Sequence, residues 1–415
     1  MRRSERGGRL VYVLGSFPSL SETFILREIL ELEERGLRLS LLSLEPGDEV
    51  VHERAAELAE RVVQRPRPLS LRSILGLVVA AIIHPFGFVG ALLYMLGCIF
   101  RTPRATGELL RSFVAAAFFT CALRGTRPRH IHAHFATMPA TVGLLLAQML
   151  ETTFSFAAHA NDIFTGDAIL IDRKIREAEF VPVCTQAGIE HLRLLHPVSS
   201  TGRLHLVYHG VDVAELTPAP HDLVGDPSLI LSVGRLVEKK GFPVLLRAAA
   251  LLRKQGVDFR LRIVGSGPDE ADLKRLAVGL ALEDYVQFVG PLPHEELIPL
   301  FREADLFVLA SVVASDGDRD GLPNVLLEAL ALGVPAIGTR VSAIPELIEH
   351  EETGLLAKPG DPSDLAEQME RLLFDEQLRA KVIEQGRDEV VTRFDLKTNV
   401  GLLAELFAEV TGHRR

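Results

Sequence analysis

The sequence of 415 residues contains no tryptophan, only four tyrosines and only three cysteines. The cysteines, Cys98, Cys121 and Cys184, are too few and too widely spaced for a disulfide framework or a cysteine-based zinc site. We expect them to be reduced, which is typical of a cytosolic protein. The sequence also lacks a repeat with a period of 20–50 residues, which excludes a solenoid. Apolar residues make up 47% of the chain, so most of it can form hydrophobic cores.

Acidic and basic residues are distributed unevenly. The net charge of −10 argues against nucleic acid as the main partner. Residues 1–220 contain 23 Lys and Arg against 22 Asp and Glu, whereas residues 221–415 contain 22 against 33. Within the first half, residues 61–129 contain ten arginines and a single acid, Glu108, a net charge of +9. The first half is therefore the part that suits an anionic surface.

The segment from Ser73 to Phe100 contains no Asp, Glu, Lys or Arg. Its 28 residues are enough to span a bilayer, but His84-Pro85 and several glycines weaken a single helix. Three interpretations stay open: a pair of helices buried against a core, docking at a membrane surface, and a true span. Because arginines on both flanks suit acidic lipid, we expect a peripheral membrane contact through residues 61–129, on the inner face of the membrane.

Apolar strand patterns alternate with helical patterns in two series along the chain. Strands without an apolar–polar alternation indicate parallel sheets covered on both faces, so the sequence predicts an α/β protein with two Rossmann-like, doubly wound domains. A proline-containing stretch at 217–227 is the expected linker. The predicted domains are 1–216 and 228–390, and a helix in 391–415 is expected to pack back on the first domain. Ligands bind at the carboxyl ends of parallel strands, so two facing domains form a cleft.

Basic residues follow the first strand of the second domain. Gly234-Arg235 ends the predicted strand Leu229–Val233, and Lys239-Lys240-Gly241 precedes a predicted helix. A guanidinium can donate two parallel hydrogen bonds to phosphate oxygens, and an ammonium provides a positive point charge. Arg235 and Lys240 are therefore candidate phosphate ligands, with a solvated basic turn as the alternative.

Two glycine-containing motifs follow further along the same domain. Gly265-Ser266-Gly267 lies between a strand and a helix, where it predicts either a tight turn or a close approach of a nucleotide to the backbone. Asp316–Gly321 has the acidic spacing of a calcium loop, but Leu327 occupies the position of the bidentate acid. We therefore do not assign calcium there.

A short helix is predicted from Gly321 to Leu332, with Pro323 in its first turn and Gly333 after its end. Asp320 precedes it, and Glu328 lies within it among apolar residues. A carboxylate in such surroundings needs a partner, for which ribose hydroxyls or an arginine would serve.

Histidines mark two places in the first domain. His130, His132 and His134 alternate on a predicted strand and share one face, and we expect structural or site-lining roles because no nearby Asp, Glu or Cys supplies further metal ligands. His159 and Asp162 follow the next strand, where they either contact a ligand or cap the next element.

Taken together, these motifs resemble the retaining glycosyltransferases of family 4, which have the GT-B fold. The likeness is carried by Gly234-Arg235, Lys240-Gly241, Gly265-Ser266-Gly267-Pro268, Asp320–Pro323 and Glu328-Ala329. In the first half, His132–Ala136 and Phe154–Ile163 resemble the branch that builds colanic-acid-like exopolysaccharides.

The resemblance implies roles for individual residues. Arg235 and Lys240 hold the diphosphate of a nucleotide-sugar, and Glu328 binds the ribose. Asp320, where the family usually has Glu, faces the donor sugar beside the backbone of Gly321, Leu322 and Pro323. His159 points at that sugar from the first domain. Gly265 and Gly267 also belong to the implied donor site, and Gly15, in the loop after the first strand, approaches the phosphates.

The implied reaction is transfer of a sugar, with retention, to a saccharide acceptor that we expect to be lipid-linked. The acceptor would bind the first domain. No metal or other cofactor is expected, because the two cations stabilise the departing diphosphate. The alternatives are a sugar-nucleotide epimerase or a phosphorylase on the same fold, and a non-catalytic, membrane-associated scaffold that binds a nucleotide.

Overall fold

The computed structural model describes residues 10–19, 23–48, 53–68, 70–218 and 227–412. The chain divides into two compact units. Unit 1 comprises residues 1–207 and 400–415, and unit 2 comprises residues 208–399. The boundary thus precedes the stretch 217–227 that the sequence predicts as the linker, and residues 219–226 of that stretch lie outside the described residues.

Unit 1 contains a five-stranded sheet in the order β3-β2-β1-β4-β5, in which all neighbours are parallel. A separate parallel pair, β6-β7, follows. The strands are β1 Leu10–Phe17, β2 Leu39–Pro46, β3 Val63–Gln64, β4 His130–His134, β5 Thr153–Ala157, β6 Val181–Val183 and β7 Leu204–Leu206. In β4 every residue is buried, as expected for a central strand of a sheet that is covered on both faces.

Nine helices of unit 1 connect and cover these strands within the described residues. They are α1 Thr23–Glu34, α2 Glu53–Ala59, α3 Leu71–Ile83, α4 Pro85–Arg101, α5 Thr106–Ala122, α6 Met138–Leu150, α7 Ala160–Thr165, α8 Ala168–Glu177 and α9 Gln186–Leu195. Helix α6 is the most deeply buried of them, and it packs against β4, β5 and α5. It therefore forms the centre of the core of unit 1 together with the sheet.

The uncharged segment of the sequence forms α3 and α4, which bend by 118° at His84. Mainly small residues face inward: a Cβ on Gly76 would lie 2.8 Å from the Cα of Phe118, and one on Gly87 would lie 2.5 Å from the Met149 carbonyl oxygen. The large side chains therefore face outward, and the interpretation as a fully buried helix pair is wrong. The exposed residues, here called the α3–α4 apolar face, are Leu71, Ile74, Leu75, Val78, Ile82, Ile83, Phe86, Val89, Leu93, Leu96 and Phe100. Across the described ranges, no single helix has the length and apolar character of a membrane span, whereas this bent pair meets both criteria jointly.

Unit 2 contains a six-stranded parallel sheet in the order β10-β9-β8-β11-β12-β13. Its strands are β8 Ser228–Val233, β9 Phe259–Val264, β10 Val286–Gly290, β11 Leu306–Val308, β12 Ala336–Thr339 and β13 Leu355–Ala357. The helices are α10 Phe242–Lys254, α11 Glu270–Gly279, α12 His294–Glu303, α13 Asn324–Ala331, α14 Ile344–Leu347, α15 Pro362–Phe374 and α16 Glu376–Arg393. The prediction of two parallel α/β sheets is confirmed.

The last helix, α17 Leu396–Thr411, begins in unit 2 and continues into unit 1 at Val400. Within unit 1, the ring of Phe407 packs against those of Tyr12 and His132 at centroid distances of 6.1 and 5.1 Å. This contact places an aromatic side chain of α17 beside the histidine face of β4.

Candidate active site

The loops after β8 and β9 form one continuous backbone surface in unit 2. The amide of Gly234 donates to the Val264 carbonyl at 3.0 Å, and the amide of Leu236 donates to the Ser266 carbonyl at 2.9 Å. Gly265 has a φ of +137°, and a Cβ there would lie 2.0 Å from the Gly234 carbonyl oxygen. Gly265 and Gly267 are therefore required by the packing of one loop on the other, which is the tight-turn alternative.

Lys240 lies at the centre of the site in unit 2. It ends a short 3₁₀ turn, Glu238–Lys240, and its ammonium Nζ is 2.9 Å from Oδ2 of Asp320. The hydroxyl of Ser311 donates to the same oxygen at 2.7 Å. The stem of Lys240 passes over Gly234, where a Cβ would lie 3.3 Å from the lysine side chain. Since Lys240 and Asp320 are both largely buried, their ion pair is shielded from water and salt.

A second lysine–aspartate pair lies beside the first. Nζ of Lys239 is 2.9 Å from Oδ2 of Asp318, and the two side chains have about the same exposure. The hydroxyl of Ser315 donates to Oε2 of Glu238 at 2.9 Å, which further ties the loop to the lysine turn. Two of the three aspartates of the calcium-like motif, Asp318 and Asp320, thus form ion pairs with lysines.

Arg235 differs from Lys240 in its surroundings. It lies two residues after the end of β8 and is exposed, and it forms no ion pair with the residues that the structure describes. The structure therefore brings Lys240 together with Asp320, whereas Arg235 makes no contact of this kind. Its role as a phosphate ligand stays a prediction.

Glu328 is buried on α13, and His294 at the start of α12 contacts it. Nε2 of His294 lies 3.1 Å from Oε1 of Glu328. The sequence correctly indicates that this carboxylate needs a partner, but His294 is neither of the two kinds expected. A histidine after Pro293 forms no motif that could have identified it, because the contact joins residues of different helices.

The N-terminus of α13 differs by a few residues from the prediction. The helix begins at Asn324, and Pro323 is its N-cap residue rather than part of its first turn. Leu322 and Pro323 are buried, and Gly321 is partly exposed. Gly333 follows the helix with a φ of +77°, which agrees with the predicted end.

Gly15 lies within a strand and not in a loop, which corrects the prediction. Strand β1 continues to Phe17 because Ser16 and Phe17 stay paired with Glu45 and Pro46 of β2. A Cβ on Gly15 would make only an ordinary contact, 3.9 Å from Pro139. Protein packing therefore does not explain the glycine here.

His159 and Asp162 cap helix α7, as one of the two alternatives predicts. The amide of His159 donates to Oδ1 of Asp162 at 2.7 Å, and the amide of Ala136 donates to Oδ2. The ring of His159 is buried between those of His134 and Phe135, at centroid distances of 5.6 and 4.4 Å. The cap and the ring contacts fix the position of His159.

The loop after β4 is held by a buried carboxylate and a buried amine. Lys174 donates from Nζ to the carbonyl oxygens of Ala136 and Thr137, the second at 3.0 Å. Burial raises the pKa of Asp162 to about 7, against the opposing effect of its hydrogen bonds from backbone amides. Burial lowers the pKa of Lys174 to about 8. Phe135, in the same loop, has a φ of +73°, so these contacts hold a backbone conformation that is costly for a non-glycine residue.

The three histidines of β4 share one buried face, as predicted. Burial lowers the pKa of His130 to about 3, and burial together with the other two histidines lowers the pKa of His132 well below its ordinary value. His134 contacts Oε1 of Glu28 through Nε2 at 3.0 Å. The expectation that no acid is available near this face is wrong, because Glu28 reaches it from α1, a helix distant in sequence.

Comparison with known proteins shows which protein family the chain resembles. The profile described as "Glycosyl transferases group 1" matches residues 214–389. A protein of Escherichia coli (strain K12) named for a glycosyltransferase of colanic acid biosynthesis, WcaL, is 30% identical over 410 residues, covering 92% of this chain and 95% of that protein. The amylovoran biosynthesis glycosyltransferase AmsK of Erwinia amylovora is 39% identical over 204 residues, about half of each chain.

Solved structures show the fold. The sucrose-phosphate synthase of Thermosynechococcus elongatus matches with a TM-score of 0.74 at 20% identity, over 98% of this chain and all of that one. Anabaena Alr3699/HepE in complex with UDP matches with a TM-score of 0.70 at 17% identity, over 97% of this chain and all of that one. HepE has also been solved with UDP-glucose. The GT-B fold expected from the sequence is thereby confirmed.

Proposed function

The chain belongs to the group 1 glycosyltransferases, and from that premise we propose that it is a retaining enzyme of glycosyltransferase family 4 that acts in exopolysaccharide synthesis. It transfers a sugar from a nucleoside-diphosphate sugar to a saccharide acceptor. The names of the relatives, which refer to colanic acid and amylovoran, support the pathway. The HepE complexes with UDP and UDP-glucose support the class of donor. These relatives favour a transferase over an epimerase, a phosphorylase or a scaffold.

The buried pair of Lys240 and Asp320 is the observation that carries this proposal. When the bond between the anomeric carbon and the diphosphate breaks, negative charge develops on the diphosphate and positive charge on the sugar ring. A fixed ammonium stabilises the leaving group, and this interaction is stronger in the transition state than in the ground state. Asp320 holds the ammonium in place before the donor binds.

Donor binding then gives each member of this pair a new partner. The diphosphate competes with Asp320 for Nζ of Lys240, while the Ser311 hydroxyl continues to hold the Asp320 carboxylate. Released from Lys240, that carboxylate accepts hydrogen bonds from donor-sugar hydroxyls. Glu328, oriented by His294, binds the ribose hydroxyls.

The positive charge of Lys240 and Arg235 takes the place that a divalent cation has in other sugar transferases. We therefore propose that the transfer step needs neither a metal ion nor another cofactor. Added Mg²⁺ or Mn²⁺ should leave the initial rate unchanged, and a clear stimulation by either ion would contradict this part of the proposal.

The remaining residues of the candidate site keep the roles that the family resemblance implies. Gly15 approaches the phosphates, His159 contacts the donor sugar, and the backbone of Gly321–Pro323 lies beside it. For Gly265 and Gly267 the loop packing already accounts for the glycines. Any donor contact there therefore comes from backbone atoms.

The α3–α4 apolar face supports a peripheral contact with the cytoplasmic leaflet of a membrane, where a lipid-linked acceptor would be presented. Phe86 and Phe100 expose 86% and 88% of their surface. Such exposed phenylalanines are unusual on a protein surface that faces only water. Exposed arginines lie on the same helices or on α5, among them Arg72, Arg101 and Arg111. Apolar side chains fringed by cations suit insertion into an anionic interface.

The direct test is a screen of nucleoside diphosphates and their sugars by thermal unfolding, followed by a transfer assay. A ligand at a hundredfold excess over its Kd stabilises the folded state by about 2.7 kcal/mol, so a true donor raises Tm clearly. We expect one nucleoside diphosphate to stabilise the protein and its sugar to be turned over. Stabilisation by no nucleotide would contradict the proposal.

A further inference from the structure

A cluster of ligand-type side chains lies in unit 1, outside the residues assigned to sugar transfer. His132 and His134 extend from β4, and Glu28 extends from α1 toward them. One nitrogen of each ring and one carboxylate oxygen lie within 4.8 Å of one another. Both histidines are buried, and Glu28 is partly exposed, so an ion could reach the cluster from the side of α1.

A chain of hydrogen bonds links the ring of His132 to the backbone, and one of its two proton arrangements leaves Nε2 of His132 unprotonated. In that arrangement the hydroxyl of Thr153 donates to the Arg129 carbonyl at 3.1 Å and accepts from Nδ1 of His130, 2.7 Å away. In its neutral form His130 then accepts at Nε2 from the Ser155 hydroxyl, 2.6 Å away.

The same logic extends one step further to His132. Because the proton of Ser155 is used by His130, its oxygen accepts from Nδ1 of His132 at 2.7 Å. In this arrangement Nε2 of His132 carries an unprotonated lone pair. It is fully buried, and no residue in the described parts of the chain donates a hydrogen bond to it. A buried acceptor without a donor is costly unless something binds it.

The other two groups of the cluster complete a donor set. Oε1 of Glu28 lies 3.0 Å from Nε2 of His134, and it also accepts from the Tyr12 hydroxyl at 2.7 Å. When the proton of His134 is on Nδ1, which faces His159 Nε2 at 3.4 Å, its Nε2 is available as a ligand. Two imidazoles and one carboxylate form a nitrogen and oxygen set that suits Zn²⁺.

We propose that Glu28, His132 and His134 bind one Zn²⁺ ion, and that the hydrogen-bond chain through Ser155 and His130 orients the His132 ligand. The ion would join α1 to β4 and fix the start of the loop at Phe135, whose ring packs on His159. It has no contact with the donor diphosphate in this proposal, so its role is structural. Zinc binding can therefore be measured separately from sugar transfer, although His134 and Phe135 both contact His159.

The test measures zinc rather than activity. The full-length chain is stripped with a chelator and titrated with ZnCl₂ against a chromophoric competitor, and Co²⁺ is added separately to record ligand-field bands in the visible spectrum. We expect one zinc per chain and a Co²⁺ spectrum typical of nitrogen and oxygen ligands in low coordination.

Single substitutions test which residues bind the ion. Glu28→Gln and His132→Gln should each weaken zinc binding at least about tenfold, and Ser155→Ala should weaken it about tenfold because the His132 ligand loses its orienting partner. His205→Gln, on β7 and outside the cluster, is the matched control and should bind zinc like the wild type. Glu28 is partly exposed, so Glu28→Gln remains informative if His132→Gln does not fold. Absence of stoichiometric uptake, or uptake that Glu28→Gln leaves unchanged, would overturn the proposal.

Discussion

Lys240 and Asp320 form an ion pair of 2.9 Å, and the Asp320 oxygen in this pair also accepts a 2.7 Å hydrogen bond from Ser311. The neighbouring Lys239 makes a pair of equal length with Asp318. Two adjacent lysines in one turn thus have the same kind of partner, but only Lys240 lies over Gly234 at the end of β8. The chain therefore contains its own internal comparison for the function of Lys240.

Replacing Lys240 with alanine should abolish sugar transfer and weaken binding of the nucleoside diphosphate at least about tenfold, or about 1.4 kcal/mol. The reason is loss of the ammonium that the diphosphate binds. Isothermal titration calorimetry with the nucleotide identified in the thermal screen measures the affinity. Lys239→Ala, which removes an equally placed charge from the same turn, should retain most of both properties. Equal losses in the two variants would show that only the general charge of the turn matters.

Replacing Asp320 with asparagine should separate binding from turnover. The asparagine retains an acceptor for Ser311 but no longer neutralises Lys240, so the nucleoside diphosphate should bind about fivefold more tightly, about 1 kcal/mol. Transfer should nevertheless fall strongly, because the carboxylate that accepts sugar hydroxyls is lost. Calorimetry and initial rates give the two quantities. Weaker nucleotide binding in this variant would contradict the exchange of partners.

Replacing Glu328 with glutamine should weaken binding of the nucleoside diphosphate about tenfold, since ribose hydroxyls lose a charged acceptor. His294→Phe keeps a ring of similar size but removes the nitrogen that contacts Glu328, so it should have a smaller effect in the same direction. Glu303→Gln, an exposed site on α12, serves as the control. If His294→Phe lowers affinity more than Glu328→Gln does, His294 itself binds the ligand.

The sequence predicts those features that short segments determine. Strand β8 differs by only one residue from its predicted bounds, Leu229–Val233, because a continuous apolar run is a local signal. The partners of Glu328 and His134 could not be predicted, since each contact depends on how separate elements pack. Likewise, a fully apolar helix gives no local signal of which face is covered. Only the packing of Gly76 and Gly87 on α5 and α6 shows that the large side chains of α3 and α4 face outward.

The stability of unit 1 should depend on pH through Asp162. Because burial raises its folded-state pKa to about 7 from 3.8, the folded state binds the proton more tightly than the unfolded state. The contribution of Asp162 to the free energy of unfolding is thus fully present below about pH 4, and it is lost as the pH rises to about 7. Asp162→Asn should remove this decline, as measured by urea unfolding at several pH values. Asp167→Asn is the control, because the pKa of Asp167 is lowered, which gives a pH dependence of the opposite sign. A wild-type decline that persists in Asp162→Asn would assign it to another group.

Binding of the protein to anionic vesicles should depend both on the α3–α4 apolar face and on the arginines of α4, α5 and the turn between them. Replacing Arg101, Arg104 and Arg111 with glutamine should weaken sedimentation with phosphatidylglycerol vesicles, by about 1 kcal/mol per arginine at low salt. Of the three, Arg104 should contribute least, because it is already paired with Asp167 at 2.9 Å. Phe86→Asp removes insertion without changing the arginines, and it should reduce binding at high salt as well.

A matched triple variant in unit 2 distinguishes this surface from general charge. Arg247, Arg260 and Arg275 are exposed, and their replacement with glutamine changes the net charge of the chain by the same amount. Since these residues are not on α3, α4 or α5, vesicle binding should stay at the wild-type level. Were the two triple variants to lose binding equally, the membrane contact would be nonspecific. If neither triple variant nor Phe86→Asp changed it, the α3–α4 apolar face would have to be covered by something other than lipid.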